Sequence, residues 1–153
     1  MLPIGLLMFV WLSVSGAGCL DPCADRIDQV FLDQAAQEEG ALRTESGLVF
    51  KTLKEGYGPT PKDGDQVLVH YKAMLTSGKV FDYSRRRPSK LPIGKMIPGW
   101  AEALKMMKGG GKARIVLPPA LAYGRKGKPG TVPQCAVLVF ELELVGIESA
   151  AEG

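Results

Sequence analysis

The chain has a single histidine and only three cysteines among its 153 residues, and that scarcity removes several kinds of chemistry at once. His70 stands alone, and no two of Cys19, Cys23 and Cys135 have the two-residue gap of a C-x-x-C pair. Cys19 and Cys23 also fall in a tail ahead of the main body, so no metal site is expected, and no other cofactor either. Charge of one sign is not massed. The net charge is +3, and Arg85, Arg86 and Arg87 form the only dense basic run. Binding to nucleic acid needs a broader basic face with interleaved aromatics, so no nucleic-acid partner is expected. Internal repeats, low-complexity tracts and a strand-helix-strand rhythm are all missing, which excludes solenoids and parallel α/β sheets. What remains is a length and a 46% hydrophobic content suited to one globular domain with a real core.

Residues 1 to 20 carry no charged side chain, and Leu6 to Val14 form an apolar run followed by Ser15, Gly16, Ala17 and Gly18. This pattern fits an export signal over 1–18, although the usual basic start is missing. Three readings stay open: cleavage after Ala17, a lipoprotein signal with the lipid on Cys19, or an uncleaved membrane anchor, since about 18 uncharged residues can span a bilayer. All three place the protein outside the cytoplasm, in the periplasm or cell envelope. If Cys19 is lipidated, Cys23 and Cys135 are left to pair in an oxidising compartment; the alternative is that Cys135 is a small buried residue.

Beyond the signal, residues 19–46 read as a helical extension with a linker. Ile27, Val30, Phe31 and Ala35 recur at helical spacing between Ala24 and Glu39, Gly40 closes the run, and residues 41–46 are the linker. Such a short helix needs a partner surface, and three readings stay open: it packs on its own domain, packs on a second copy, or stays mobile. Its apolar stripe is narrow for a dimer interface, so a monomer is expected. The domain proper is expected over 47–148, with 149–153 as a tail.

Strands are expected at Gly47 to Glu55, Gln66 to Leu75, Lys79 to Tyr83, Lys112 to Leu117 and Val137 to Val145. In the second, Val67, Val69, Tyr71 and Ala73 share one face; in the fourth, Ala113, Ile115 and Leu117 do. The stretch Met96 to Leu104 organises the rest. Pro98 suits the first turn of a helix, Trp100, Leu104 and Met107 line one face, and Gly109 to Gly111 stop it. The fold class is α+β, a curved antiparallel β-sheet wrapped around one short amphipathic helix.

Six motifs then occur in order: Val69-His70-Tyr71, Phe81-Asp82, Ile97-Pro98-Gly99-Trp100, Leu121-Ala122-Tyr123-Gly124, Val132-Pro133 and Leu138-Val139-Phe140-Glu141. Together they resemble the FKBP-type peptidyl-prolyl isomerases, the macrolide-binding immunophilins. Glu45-Ser46-Gly47-Leu48 and the short loop before Ile97 are similar to the bacterial macrophage infectivity potentiator branch, which is exported and carries a helical N-terminal extension. The resemblance implies an enzyme that turns X-Pro bonds in exported polypeptides, with proline-containing clients and macrolides as its ligands. It also implies the site: Trp100 as the floor of a proline pocket, with Tyr71, Phe81, Met96, Ile97, Val132 and Phe140 as walls. The Ile97 N–H and the Tyr123 hydroxyl hold substrate carbonyls, Asp82 sets polar character beside the twisting amide, and Arg87 is the cation that orients Asp82. A competing reading is a chaperone or binding module that holds proline segments without turning them over.

The chain departs from the family pattern at the rim. The loop from Asp82 to Gly94 is short, Tyr83 and Leu91 stand where Ser and an aromatic are common, and Gln134 and Cys135 replace a frequent Pro and an Asn or His. His70, alternating with Val69 and Tyr71 on a strand, is expected to be structural.

Overall fold

The computed structural model describes Cys23 and residues 28–149. The export segment 1–18, the lipidation candidate Cys19, Ile27 and the end of the tail lie outside the described residues. The elements in chain order are helix α1 (Gln29–Gln37), strands β1 (Ala41–Arg43), β2 (Val49–Lys54), β3 (Gln66–Leu75), β4 (Val80–Tyr83) and β5 (Ser89–Pro92), helix α2 (Pro98–Lys105), and strands β6 (Lys112–Leu117) and β7 (Leu138–Glu148). Single turns of 3-10 helix cover Ile93–Lys95 and Pro119–Leu121.

Helix α2 starts where its sequence says it should. Ile97 caps it in an extended conformation, Pro98 takes the first position, and the chain leaves through Met106 toward Gly110, whose φ of +85° only glycine adopts freely. Gly99 is needed for a different reason. A Cβ there would stand 2.5 Å from a methyl of Leu117, so the helix backbone lies directly against β6. Trp100, Ala103, Leu104 and Met107 are then buried in the hollow of the sheet.

All seven strands form one antiparallel sheet in the order β1-β2-β6-β7-β3-β4, with β5 also pairing β3 along the same edge as β4. Its centre is the long β3–β7 ladder, which runs from Gln66 opposite Glu148 to Leu75 opposite Leu138, with a bulge between Leu68 and Val69. Bulges raise the local twist, which curls the sheet around α2. The inner face carries Val67, Val69, Ala73, Ala113, Ile115, Leu117, Phe140, Leu142 and Leu144, all buried with α2. Strand β7 reads as almost continuously apolar because its start is covered on both faces. Leu138 and Phe140 meet α2, whereas Val137 and Val139 lie under α1.

The N-terminal extension is part of this fold. Helix α1 packs Leu32 and Ala35 on Val49, Val116, Val137 and Val139 of the outer face, and Asp28 caps it by accepting the Phe31 N–H. Three expectations change here. The helix is shorter than Ala24 to Glu39; its buried side runs through Leu32 while Val30 is 67% exposed; and 41–46 is not a plain linker, because β1 pairs with β2. Arg43 of β1 reaches back to Asp33 at 2.8 Å, and Glu38 receives both Lys51 and Arg114. The helix packs on its own domain, the first of the three readings the sequence left open. Cys23 and Cys135 are joined by a disulfide with 5.3 Å between their Cα atoms. This tie fastens the N-terminal segment to the loop ahead of β7.

Candidate active site

Where β3, β4, β5, β7 and the start of α2 converge on the inner side, the sheet leaves a cup of about 340 Å³. Its floor is Trp100, 6% exposed, fixed by two edge-to-face neighbours: Tyr71 at 5.0 Å and Phe140 at 5.3 Å between ring centroids. Phe81 continues the aromatic wall from Phe140 at 6.4 Å. Strand alternation and register put Tyr71 and Phe140 on one face, Phe81 joins them at the irregularity where the β3–β4 ladder shifts between Ala73 and Met74, and helical spacing points Trp100 back at them. The Trp100 indole N–H is buried and meets no acceptor among the described residues. Met96, Ile97, Leu91 and Pro92 close the opposite side, and Tyr123 stands at the mouth.

Polar groups are few and sit at the edge. Asp82 lines the cup and accepts the Tyr71 hydroxyl at 3.0 Å, while its other oxygen takes the Tyr83 N–H at 2.9 Å. Burial, then the hydrogen bond to Asp82 and its negative charge, push the Tyr71 hydroxyl up to about 12. It stays protonated at any ordinary pH and holds the carboxylate in place. The Ile97 N–H precedes the first helical turn, where no intrahelical acceptor exists, and it meets no backbone acceptor among the described residues. The Tyr123 hydroxyl likewise makes no hydrogen bond among the described residues. An apolar cup with a carboxylate and two unengaged donors at its lip suits a small apolar ring flanked by amide carbonyls.

A family model described as FKBP-type peptidyl-prolyl cis-trans isomerase matches residues 58–145, the span that holds every residue of the cup. The chain belongs to the FKBP-type peptidyl-prolyl cis-trans isomerase family. It is 43% identical to the FKBP-type peptidyl-prolyl cis-trans isomerase FkpA of Escherichia coli over 78% of this chain and 45% of the relative. It is 37% identical to the macrophage infectivity potentiator of Trypanosoma cruzi over 84% of this chain and 67% of the relative. The crystal structure of Escherichia coli FkpA superposes with a TM-score of 0.76 at 42% identity, covering 80% of this chain and 58% of that one. A peptidyl-prolyl cis-trans isomerase from Pseudomonas syringae gives the same TM-score at 32% identity and 90% of its length. The chain spans about half the length of the FkpA relatives it matches.

Of the ten residues nominated from sequence, eight line the cup: Tyr71, Phe81, Asp82, Met96, Ile97, Trp100, Tyr123 and Phe140. Two do not. Val132 is 5% exposed and sits in the core behind the pocket, its backbone paired with Lys128 in a narrow turn. Arg87 forms no ion pair with Asp82; it stands with Arg85 and Arg86 along an open crevice with Tyr83 and Ser84, and it is the Tyr71 hydroxyl that bonds the carboxylate. Sequence reading missed Pro92 and Lys95 in the lining, and β5 as the strand that brings Leu91 there. The signal for β5 was hidden by Pro88 and Pro92, which an edge strand tolerates. His70 is structural as expected: its Nδ1 meets the Ser84 hydroxyl, which also accepts the Tyr71 N–H at 3.0 Å. It faces a second, more open depression of about 500 Å³ on the outer side of the sheet, lined by Leu53, Lys72, Glu141 and Glu143 among others. That depression is larger, but Phe81, Trp100 and Phe140 do not line it, and its cations Lys72 and Lys112 stand beside the carboxylates Glu141 and Glu143.

Proposed function

We propose that this domain is a peptidyl-prolyl cis-trans isomerase acting on proline-containing segments of exported polypeptides. The observation that carries the reading is the aromatic cup over Trp100 with two unengaged donors and a held carboxylate at its lip. Rotation about an X-Pro bond crosses a barrier of about 18–20 kcal/mol, set by amide resonance. Water favours the polarised planar amide, so a dry cup favours the twisted state in which that polarisation is lost. A 10⁴-fold acceleration needs about 5.4 kcal/mol. One neutral hydrogen bond, worth about 1 kcal/mol net, does not supply it, so desolvation and shape carry most of the effect.

In this mechanism Trp100 receives the proline ring, with Phe81, Phe140 and Met96 excluding water around it. The Ile97 N–H and the Tyr123 hydroxyl bind carbonyls on either side of the rotating bond. Asp82, oriented by Tyr71, places a negative field beside the carbonyl carbon as it turns. No covalent bond is made or broken, so no metal or cofactor is required. Macrolides of the immunophilin class fill the same cup as competitive ligands. Export to the cell envelope is supported by the uncharged segment over residues 1 to 20 and by the Cys23–Cys135 disulfide, which persists in oxidising compartments.

The test is refolding of a protein whose slow phase is limited by proline isomerisation. Micromolar enzyme is expected to accelerate that phase, with a macrolide abolishing the effect. An unchanged slow phase, with the domain shown to be folded, leaves only the binding-module reading.

A further inference from the structure

The cup is apolar, but the ground around it is strongly and unequally charged. Arg85, Arg86 and Arg87 occupy the loop that joins β4 to β5, two strands of the pocket wall, and all three are exposed. Lys95 lines the cup itself. Across the mouth, Lys128 stands 5.9 Å above the Tyr123 ring, and Arg125 and Lys126 fill the same turn, closed by the Gly127 N–H on the Tyr123 carbonyl. None of these seven cations forms an ion pair among the described residues; elsewhere Arg43, Lys51, Lys90, Lys105, Lys112 and Arg114 each have an acidic partner, and Lys54, Lys62, Lys72, Lys79 and Lys108 are unpaired among the described residues. Among the described residues the only acid lining the cup is Asp82, already engaged by Tyr71 and by the Tyr83 N–H. Seven cations therefore lie in the cup's lining or on the two loops that run on from its walls, against the single carboxylate of Asp82 in the lining, in a chain whose net charge is only +3.

We propose that this cationic rim selects client segments in which carboxylates flank the proline. The inference rests on the isomerase reading of the cup and adds its substrate class. A cup of about 340 Å³ takes the proline and part of one neighbour, so the flanking residues must cross the rim on both sides. Cations on two loops that run on from the cup's walls, with no acidic partner among the described residues, attract an acidic strand and repel a basic one. The effect acts over roughly 8 Å at physiological salt, about the distance by which side chains two or three positions from the proline stand off the cup. Because the cations lie outside the apolar walls, they change which peptides arrive and stay without altering how the bond turns.

The experiment compares three peptides with the same central Ala-Leu-Pro-Phe, flanked on both sides by two Glu, two Gln or two Lys. With the full chain, binding is followed by calorimetry and turnover by NMR exchange at about 20 mM and about 500 mM NaCl, which moves the screening length several-fold. The Glu peptide is expected to exceed the Gln peptide in affinity and in kcat/KM by about threefold to tenfold at low salt, with the Lys peptide below both. The difference should close at high salt. The variant Arg85→Gln/Arg86→Gln/Arg125→Gln/Lys126→Gln should lose most of the Glu preference while turning over the Gln peptide at the original rate. Equal binding of the three peptides overturns the proposal, whatever the turnover. Graded binding without turnover of any peptide supports the rim but sinks the isomerase reading. A third arm uses vesicles of mixed zwitterionic and anionic phospholipid. Co-sedimentation that needs the four substituted cations, with no discrimination among the peptides, assigns the rim to lipid instead and also overturns the proposal.

Discussion

At the residue scale the cup separates groups that act from groups that hold the fold. Tyr123→Phe removes one unengaged hydroxyl from a loop, so kcat/KM should fall by about threefold to tenfold, the worth of a single hydrogen bond, with the denaturation midpoint unchanged. Trp100→Ala removes a ring packed between Tyr71 and Phe140 and should cost about 3–5 kcal/mol of stability as well as activity. Urea denaturation run beside the activity assay distinguishes the two; equal destabilisation by both would contradict this division. Tyr71 carries a pH signature. Its folded pKa is raised from 10.0 to about 12, so the protonated form is the one the fold favours, and its contribution is complete below pH 10. As pH rises from 10 toward 12 the unfolded tyrosine gives up its proton first, and stability falls. The urea midpoint of the wild type should decline through that window more steeply than that of Tyr71→Phe. Parallel curves would mean that the hydroxyl is not held by Asp82.

At the scale of elements, α1 and β1 are the unexpected participants. Leu32 is 1% exposed on the outer face, so Leu32→Ala should cost about 2–5 kcal/mol, far more than a residue on a mobile extension would. Val30→Ala, one turn position away and facing solvent, should be nearly silent; thermal melts of the pair test the placement. The disulfide reinforces the same contact. It closes a span of 112 residues, and Cys135→Ser should lower stability by about 2–4 kcal/mol, measured against the oxidised wild type under non-reducing conditions. Its neighbourhood matters for function, because the Cys135 N–H bonds the Gly124 carbonyl in the loop that carries Tyr123. Loss of the tie is therefore expected to raise KM more than it lowers kcat. A stability change with untouched kinetics would restrict the disulfide to a structural role.

For the molecule as a whole, α1 is already spent on its own sheet, so light scattering of the described portion should report a monomer; a dimer that survives removal of α1 would place an interface elsewhere. Local pattern alone determined β3 and β6 to the residue and the start of α2 at Pro98, whereas the aromatic set of Tyr71, Phe81, Trp100 and Phe140 was legible through the family's motifs. Strand alternation and helical spacing are set by neighbours a few positions apart, so they can be read without knowing the fold. The rest depended on partners far away in the chain. β1 and β5 are short and weak in propensity, and exist as strands because β2 and β3 offer them open edges. Leu32 became the buried position of α1 only once Val116 and Val139 were beneath it. Arg87 lost the orienting role and Tyr71 took it because the β3–β4 pairing sets Lys72 opposite Tyr83 and Ala73 opposite Asp82, bringing the Tyr71 hydroxyl within reach of the carboxylate. The placing of Lys95 in the cup's lining and of Lys128 over the Tyr123 ring at its edge is likewise a product of tertiary structure. Charges more than thirty positions apart share a field only after the sheet has curled around α2, because Coulomb interaction follows distance in space and not along the chain.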